Sequence, residues 1–349
     1  MAQTVEIQSI PTYEKPSFIM RLVRSRESGV FIAFVILFAA LCVVRNHSFL
    51  AYLNLSNLSV QITLTAITGI GVLFVILTGG VDLSLGSTAG LCSFLCAMCV
   101  VATKNPILGL FVGVLASVAT GCIIGALNGT IVAHMRITPF IVTLGMLGIA
   151  RSIIYTLGRF VVARYMVPVA QESPLPVTGV PQTFVDAFSG NLLMVPVPVL
   201  VLVVIATIAH LVLTYTVFGR RLYAIGGNEE ATHLSGISVR WVKFFAYVCC
   251  SAICGITGVL FVARFNQGAL EAGKGHELDA IAAAVIGGTS LMGGQGSVLG
   301  VILGACVMGV VSNGLDLLGI PPEPKVGVIG AVIIIAAIVD GFRNRRSAR

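Results

Sequence analysis

Long apolar runs separated by short polar islands repeat along the 349 residues of this chain. They fall at 29–45, 56–78, 85–102, 107–133, 138–158, 193–218, 244–263, 278–292, 297–318 and 326–341. Crossing the ~30 Å apolar core of a bilayer takes about 20 residues of α-helix, and most of these runs approach or exceed that length. The pattern predicts an all-α polytopic membrane protein with about ten transmembrane helices. Two pairs of runs are joined by very short Gly-rich turns and 278–292 is short, so the pattern allows eight to ten. Residues 1–28 read as a cytoplasmic N-terminal segment, 29–342 as one transmembrane domain and 343–349 as a cytoplasmic basic tail. No small-x-small cleavage site closes the first run before Arg45-Asn46-His47, so it reads as an uncleaved first span.

Composition narrows the class. Hydrophobic residues are 57% of the chain and charged residues only 10%, with a mean hydropathy of +1.01. A soluble domain carries about 25% charged residues, so this chain cannot cover a water-facing surface. Aromatic residues are few, at 7%, while glycines number 39. Small residues let helices approach closely, which favours a packed helical bundle over a barrel. The net charge of +7 does not point to nucleic acid, because the basic residues flank apolar runs.

Those flanks set the orientation. Ten spans with both termini inside put Lys15, Arg21, Arg24, Arg26, Arg136, Arg220, Arg221, Arg240, Lys243, Arg343, Arg345, Arg346 and Arg349 on the cytoplasmic side. The outer side takes Arg45, Lys104, Arg159, Arg164, Arg264, Lys274 and Lys325, and Arg151 falls inside a span. The bias follows the positive-inside pattern, although Arg159 and Arg164 run against it at a span end, where long side chains can snorkel. On this topology the charged island Gly219 to Ile237, with Glu229 and Glu230 amid basic flanks, is cytoplasmic.

The nine cysteines all fall inside apolar runs. Cys92, Cys96 and Cys99 have helical spacing, as do Cys250 and Cys254, but no His lies close by, so they read as small core hydrophobes and no metal site is expected. A Gly-Gly motif occurs twice, as Gly79-Gly80-Val81-Asp82-Leu83-Ser84-Leu85-Gly86-Ser87 and as Gly287 to Ser297. Each is followed by a ladder of glycines four apart, Gly121, Gly125 and Gly129 in one half and Gly296, Gly300 and Gly304 in the other, suited to close helix packing. Gly-interrupted segments recurring in two halves point to transporter folds. Asp82 precedes a helical run and reads as its cap.

Catalytic signatures are missing. There is no Gly-x-x-x-x-Gly-Lys-Ser/Thr phosphate loop, no His-Glu-x-x-His and no Gly-x-Ser-x-Gly, so no enzyme function is expected. Glu277 and Asp279, two apart on a helix, would not share a face.

Four blocks carry a family resemblance: Leu77 to Ser87; Gly125-Ala126-Leu127-Asn128-Gly129 through Thr138-Pro139-Phe140-Ile141-Val142-Thr143-Leu144-Gly145; Phe218 to Ile237; and Glu277-Leu278-Asp279-Ala280-Ile281-Ala282-Ala283 through Gly287-Gly288-Thr289-Ser290-Leu291. Taken together and in this order, they resemble the permease subunits of monosaccharide-type ABC importers, in the ribose/branched-chain amino-acid permease family. Ser152, His276 and Asp316 depart from the family's usual residues. The resemblance implies a bacterial inner-membrane subunit moving a monosaccharide or related polyol by alternating access. It implies a separate ATPase subunit holding ATP and Mg, a periplasmic sugar-binding protein and a second permease subunit, identical or paralogous, with no cofactor on this chain. It implies that Gly227 to Ile237 is a helix docking into the ATPase. Asn228 would be its cap, Glu229 and Glu230 its acidic first turn, Ala231 part of its body, Leu234 and Ile237 its apolar contacts, and Ser235 and Gly236 its end. Asp82, Ser84, Asn128, Asp279 and Asn313 are polar residues beside membrane glycines and are expected to line the path or to bond between helices. The rival reading is a secondary, ion- or proton-coupled transporter.

Overall fold

The computed structural model describes residues 26–165, 175–321, 324–331, 334 and 338. The predicted N-terminal segment up to residue 25, half of the run 326–341 and the tail 343–349 lie outside them. In chain order the helices are α1 (Arg26–Val44), α2 (Asn46–Phe49), α3 (Tyr52–Ile76), α4 (Leu85–Ala102), α5 (Pro106–Ala133), α6 (Pro139–Tyr165) and α7 (Gln182–Ser189). A two-residue hairpin, β1 (Asn191–Leu192) with β2 (Val195–Pro196), leads to α8 (Val197–Tyr215), α9 (Val217–Gly227), α10 (Glu229–Leu234), α11 (Val239–Phe265), α12 (His276–Ile286) and α13 (Val298–Leu317).

Eight of these helices are long and apolar enough to cross a membrane among the described residues: α1, α3, α4, α5, α6, α8, α11 and α13. The chain is an all-α polytopic membrane protein. The predicted span 278–292 is corrected: α12 has 11 residues and ends at Ile286. At 1.5 Å per residue it covers about 16 Å, half a bilayer. Apolar residues continue beyond it, but Gly287 and Gly288 break the helix. Hydropathy cannot separate a full span from a half span followed by a buried turn.

The centre of the bundle is α3, α4, α5 and α11, with α12 and α13 against α3. Glycine makes the tightest contact possible. On α5 the ladder faces α11, where side chains at Gly121, Gly125 and Gly129 would strike the backbone of Ser251, Tyr247 and Phe244. On α13, Gly300 meets the Gly287 carbonyl just past the end of α12, and Gly304 meets the Ala283 carbonyl within it. Gly296, read as the first rung of that second ladder, instead lies before α13, outside the helix, with φ of +158°. Large apolar side chains face outward on α5 (Phe111, Leu115, Ile123), α6 (Phe140, Ile141, Leu144) and α8 (Val203, Val204, Ile208). They suit lipid or a neighbouring subunit, since lipid exacts no cost for apolar surface.

The two Gly-Gly motifs share a local geometry. The Gly80 amide bonds the Val75 carbonyl with Gly79 at φ +77°, and the Thr289 amide bonds the Ala284 carbonyl with Gly288 at φ +88°. Both are helix ends closed by a left-handed glycine, a conformation that costs other residues a steric penalty. The equivalent positions are Gly79 and Gly288, one residue out of register with the motif as aligned by sequence.

Candidate functional site

Two helices begin inside the bundle. After α3 the chain runs without helix through Gly80–Ser84, and α4 starts only at Leu85. After α11 the chain turns back along α4. Gly268 lies against Phe94 and Ala97, Ala272 against Gly90, and Gly273 and Glu277 against Gly86, so α12 starts beside the start of α4. The two N-termini therefore meet inside the bundle. This is the broken-helix arrangement in which transporters place their substrate path.

Non-helical backbone inside the bundle must find partners, because lipid offers none. Arg151, the one basic residue placed inside a span by sequence, supplies them. Its Nη1 donates to the carbonyls of Leu270 and Ala272 at 3.0 and 3.1 Å. Further out, Tyr155 donates to Glu271, which also pairs with Lys274 at 2.8 Å. The Lys274 ammonium and the Tyr155 hydroxyl hold the Glu271 carboxyl below the usual carboxylate range. Arg151→Met is expected to leave two part-buried carbonyls unpaired, at about 1–3 kcal/mol each. Thermal unfolding in detergent should show the loss, with Arg151→Lys falling between the two.

Of the predicted path residues, three come together. The Ser84 amide and hydroxyl donate to Asp82 Oδ1 at 2.8 and 2.6 Å, and Asn128 Nδ2 donates to Ser84 Oγ at 3.0 Å. All three are fully buried. Asp82 is not the helix cap: Ser84 holds that position, and Asp82 closes a turn two residues earlier. Asp279 lies half-buried in the first turn of α12. Asn313 is elsewhere, its amide exchanged with Asn54 of α3 at 2.8 and 3.1 Å, next to a Gln61–Ser312 bond of 2.9 Å. These bonds fasten α13 to α3. His276, at the start of α12, lies 3.1 Å from the Thr68 hydroxyl and against the Phe261 ring.

At one end of the bundle sits the charged island. The expected docking helix 227–237 is shorter in the structure: α10 is Glu229–Leu234. Asn228 caps it, accepting from the Ala231 amide at 2.9 Å. Glu229 and Glu230 occupy its first turn, where the helix dipole favours acids. Ser235 ends it and Gly236 follows at φ +81°. Ala231 and Glu230 are exposed and Leu234 is 80% exposed. Ile237 lies beyond the helix, partly buried against the main core. Glu229 is not free either, since it pairs with Lys243 at 2.7 Å.

The contact that the sequence did not disclose is beneath this helix. At the C-terminal end of α9, Gly226 lies directly on both Gly-Gly regions. A methyl group there would collide with the Leu77 carbonyl and the Gly294 amide, which hydrogen-bond to each other at 3.0 Å. Gly293 and Gly294 in turn touch Gly79 and Gly227, and Tyr223 of α9 donates to the Gly296 carbonyl at 2.9 Å. Three distant stretches thus meet backbone to backbone. A cavity of about 320 Å³ reaches from Asn228, Glu229 and Lys243 past Gly79 and Gly80 to Tyr247. The exposed helix and the buried Asp82 segment are in this way parts of one assembly.

A multi-pass helical membrane protein with two broken helices and a surface helix braced on one of them is, by class, a transport protein. Residues 54–337 match the family described as branched-chain amino acid transport system / permease component, and the chain belongs to that family. It is 38% identical to a ribose import permease of Escherichia coli strain K12, over 91% of this chain and 94% of that one. It is 36% identical to a ribose import permease of Bacillus subtilis strain 168, over 90% and 92%. A D-allose transport system permease of Escherichia coli strain K12 shares 32% identity over 89% and 90%. No solved structure matches the chain.

Proposed function

We propose that this chain is the membrane-spanning subunit of an ATP-driven importer carrying a monosaccharide or related polyol across a bacterial inner membrane. The relatives named for ribose and D-allose import support the substrate class. The observation that carries the coupling is α10, an exposed, capped helix seated on the contact between Gly226 and the Gly79 turn. A separate ATPase subunit, which binds ATP and Mg, docks on α10. A periplasmic sugar-binding protein delivers substrate at the opposite face, and a second permease subunit, identical or paralogous, completes the path. Both termini are cytoplasmic, following the positive-inside bias.

Closure of the ATPase on ATP moves α10 and α9, and the Gly226 contact passes that displacement to the Leu77–Ser84 segment. Packed helices respond as rigid bodies, so the pathway opens alternately to each side. Asp82, Ser84 and Asn128 hold the start of α4 while this happens. The chain performs no covalent chemistry. In proteoliposomes holding this subunit with its ATPase and binding protein, sugar uptake is expected only with ATP inside. Uptake by this chain alone, driven by an ion gradient without ATP, would contradict the reading.

A further inference from the structure

The cavity beneath α10 has a lining that the contact at Gly226 does not use. At about 320 Å³ it stands at the small end of the range of about 300–1,000 Å³ for small-molecule sites. Three separate pieces of chain wall it. Asn228 and Glu229 come from the start of α10, Thr78 to Gly80 from the turn after α3, and Lys243 and Tyr247 from α11. Asp82, Ser84 and Asn128 are not among its lining residues, so it is distinct from the cluster that holds the start of α4.

The polar groups of this lining keep unused hydrogen-bonding capacity. Tyr247 is fully buried, and its hydroxyl has no partner among the described residues. A methyl group on Gly80, another wall residue, would stand 2.9 Å from that oxygen. Asn228 spends its side-chain oxygen on the Ala231 amide, Thr78 its proton on the Val75 carbonyl, and Glu229 one carboxylate oxygen on Lys243. Among the described residues that leaves the Asn228 amide protons, two protons of Lys243, the second oxygen of Glu229, an acceptor on Thr78 and the whole Tyr247 hydroxyl.

Charge selects among ligands. Lys243 and Glu229 are the charged side chains of the lining, and they pair with each other at 2.7 Å. An anion would meet Glu229 and a cation would meet Lys243, with no countercharge to spare. A neutral molecule with several hydroxyl groups, each both donor and acceptor, matches donors and acceptors that are mixed in this way.

We propose that this cavity binds a small neutral polyol on the cytoplasmic side, and that the imported sugar, once accumulated, slows the transporter from there. The feedback rests on the reading of the chain as a sugar importer. A ligand bridging the three walls ties α10 to the Gly79 turn, and Gly226 lies in the same lining. Any stroke that shifts α10 against the Leu77–Ser84 segment reshapes the cavity. A ligand that fits it in the present arrangement therefore favours this state and holds back the next.

Equilibrium binding of radiolabelled D-ribose and D-allose to the full chain in lipid nanodiscs, without ATPase or binding protein, tests the site. Saturable binding of at least one of the two is expected. It should weaken about 10-fold in Tyr247→Phe, which removes only the hydroxyl, and in Thr78→Val. Inorganic phosphate is expected not to compete. Competition by phosphate, no saturable binding of either sugar, or binding that both substitutions leave unchanged would overturn the proposal.

The feedback is read in proteoliposomes of the complete transporter, as the ratio of initial ATP-dependent uptake with and without that sugar on the ATPase side. The ratio is expected to fall well below one for the wild-type chain and to return towards one in Tyr247→Phe. A wild-type ratio of one would overturn the feedback and leave the importer reading standing, because uptake would still require ATP. Uptake without ATP would overturn the importer reading and the feedback with it, and the nanodisc binding would then decide the site alone.

Discussion

Gly226→Ala is expected to lower uptake at least ~10-fold, while Gly227→Ala, one residue on, is expected to leave it near the wild-type rate. The two substitutions add the same methyl group. At Gly226 it would meet the Leu77 carbonyl and the Gly294 amide, both fixed backbone atoms. At Gly227 there is nothing within 4 Å. Overpacking costs about 1–3 kcal/mol even where side chains can shift, and backbone shifts less readily. A penalty of about 1.4 kcal/mol on one of two alternating states already changes its population tenfold. ATP-dependent uptake in reconstituted vesicles, compared at equal amounts of inserted protein, reads the effect. Equal uptake by the two variants would remove Gly226 from the transmission route.

Glu229→Arg with Glu230→Arg is expected to abolish transport while the protein still inserts. Reversing two charges on the exposed first turn replaces acids that favour a helix N-terminus with bases that oppose it, and presents the wrong sign to a docking partner. Glu229 complicates the interpretation because it pairs with Lys243 within the chain. That pair is partly exposed, at 19% for Lys243 and 55% for Glu229, so its own contribution to stability is small, about 0.2–1 kcal/mol. The exchange Glu229→Lys with Lys243→Glu separates the two effects. It restores the internal pair but not the acid at the surface, and it should be as inactive as Glu229→Lys alone.

The spans, the island and the two Gly-Gly motifs could be read from the sequence because each rests on a local signal. Lipid demands uniform apolar stretches, and charge interrupts them. Asn228 before Glu229 and Glu230 announces a helix start, and Ser235-Gly236 an end. What stayed hidden depends on contacts between distant parts of the chain. The run at 278–292 has the composition of a short span, yet it is a half helix followed by a buried turn. Asn313 and Asn128 look alike beside membrane glycines, but one bonds Asn54 and the other Ser84. Arg151 looked like an anomaly within a span until the carbonyls of Leu270 and Ala272 came into view. Gly226 carried a signal only in being one more glycine, and nothing local shows that two Gly-Gly regions close over it. Ile237 reads from the sequence as part of the docking helix, but the chain leaves the helix before it and packs it partly against the core after Gly236.

The central claim is that α10 receives the stroke of a separate ATPase. Substrate-stimulated ATP hydrolysis, measured on the assembled transporter carrying Glu229→Arg and Glu230→Arg, tests it most directly. The account predicts that the ATPase subunit keeps its basal hydrolysis and that stimulation by sugar-loaded binding protein disappears along with uptake. Normal stimulation in that variant would contradict it, and would place the coupling surface elsewhere on the chain.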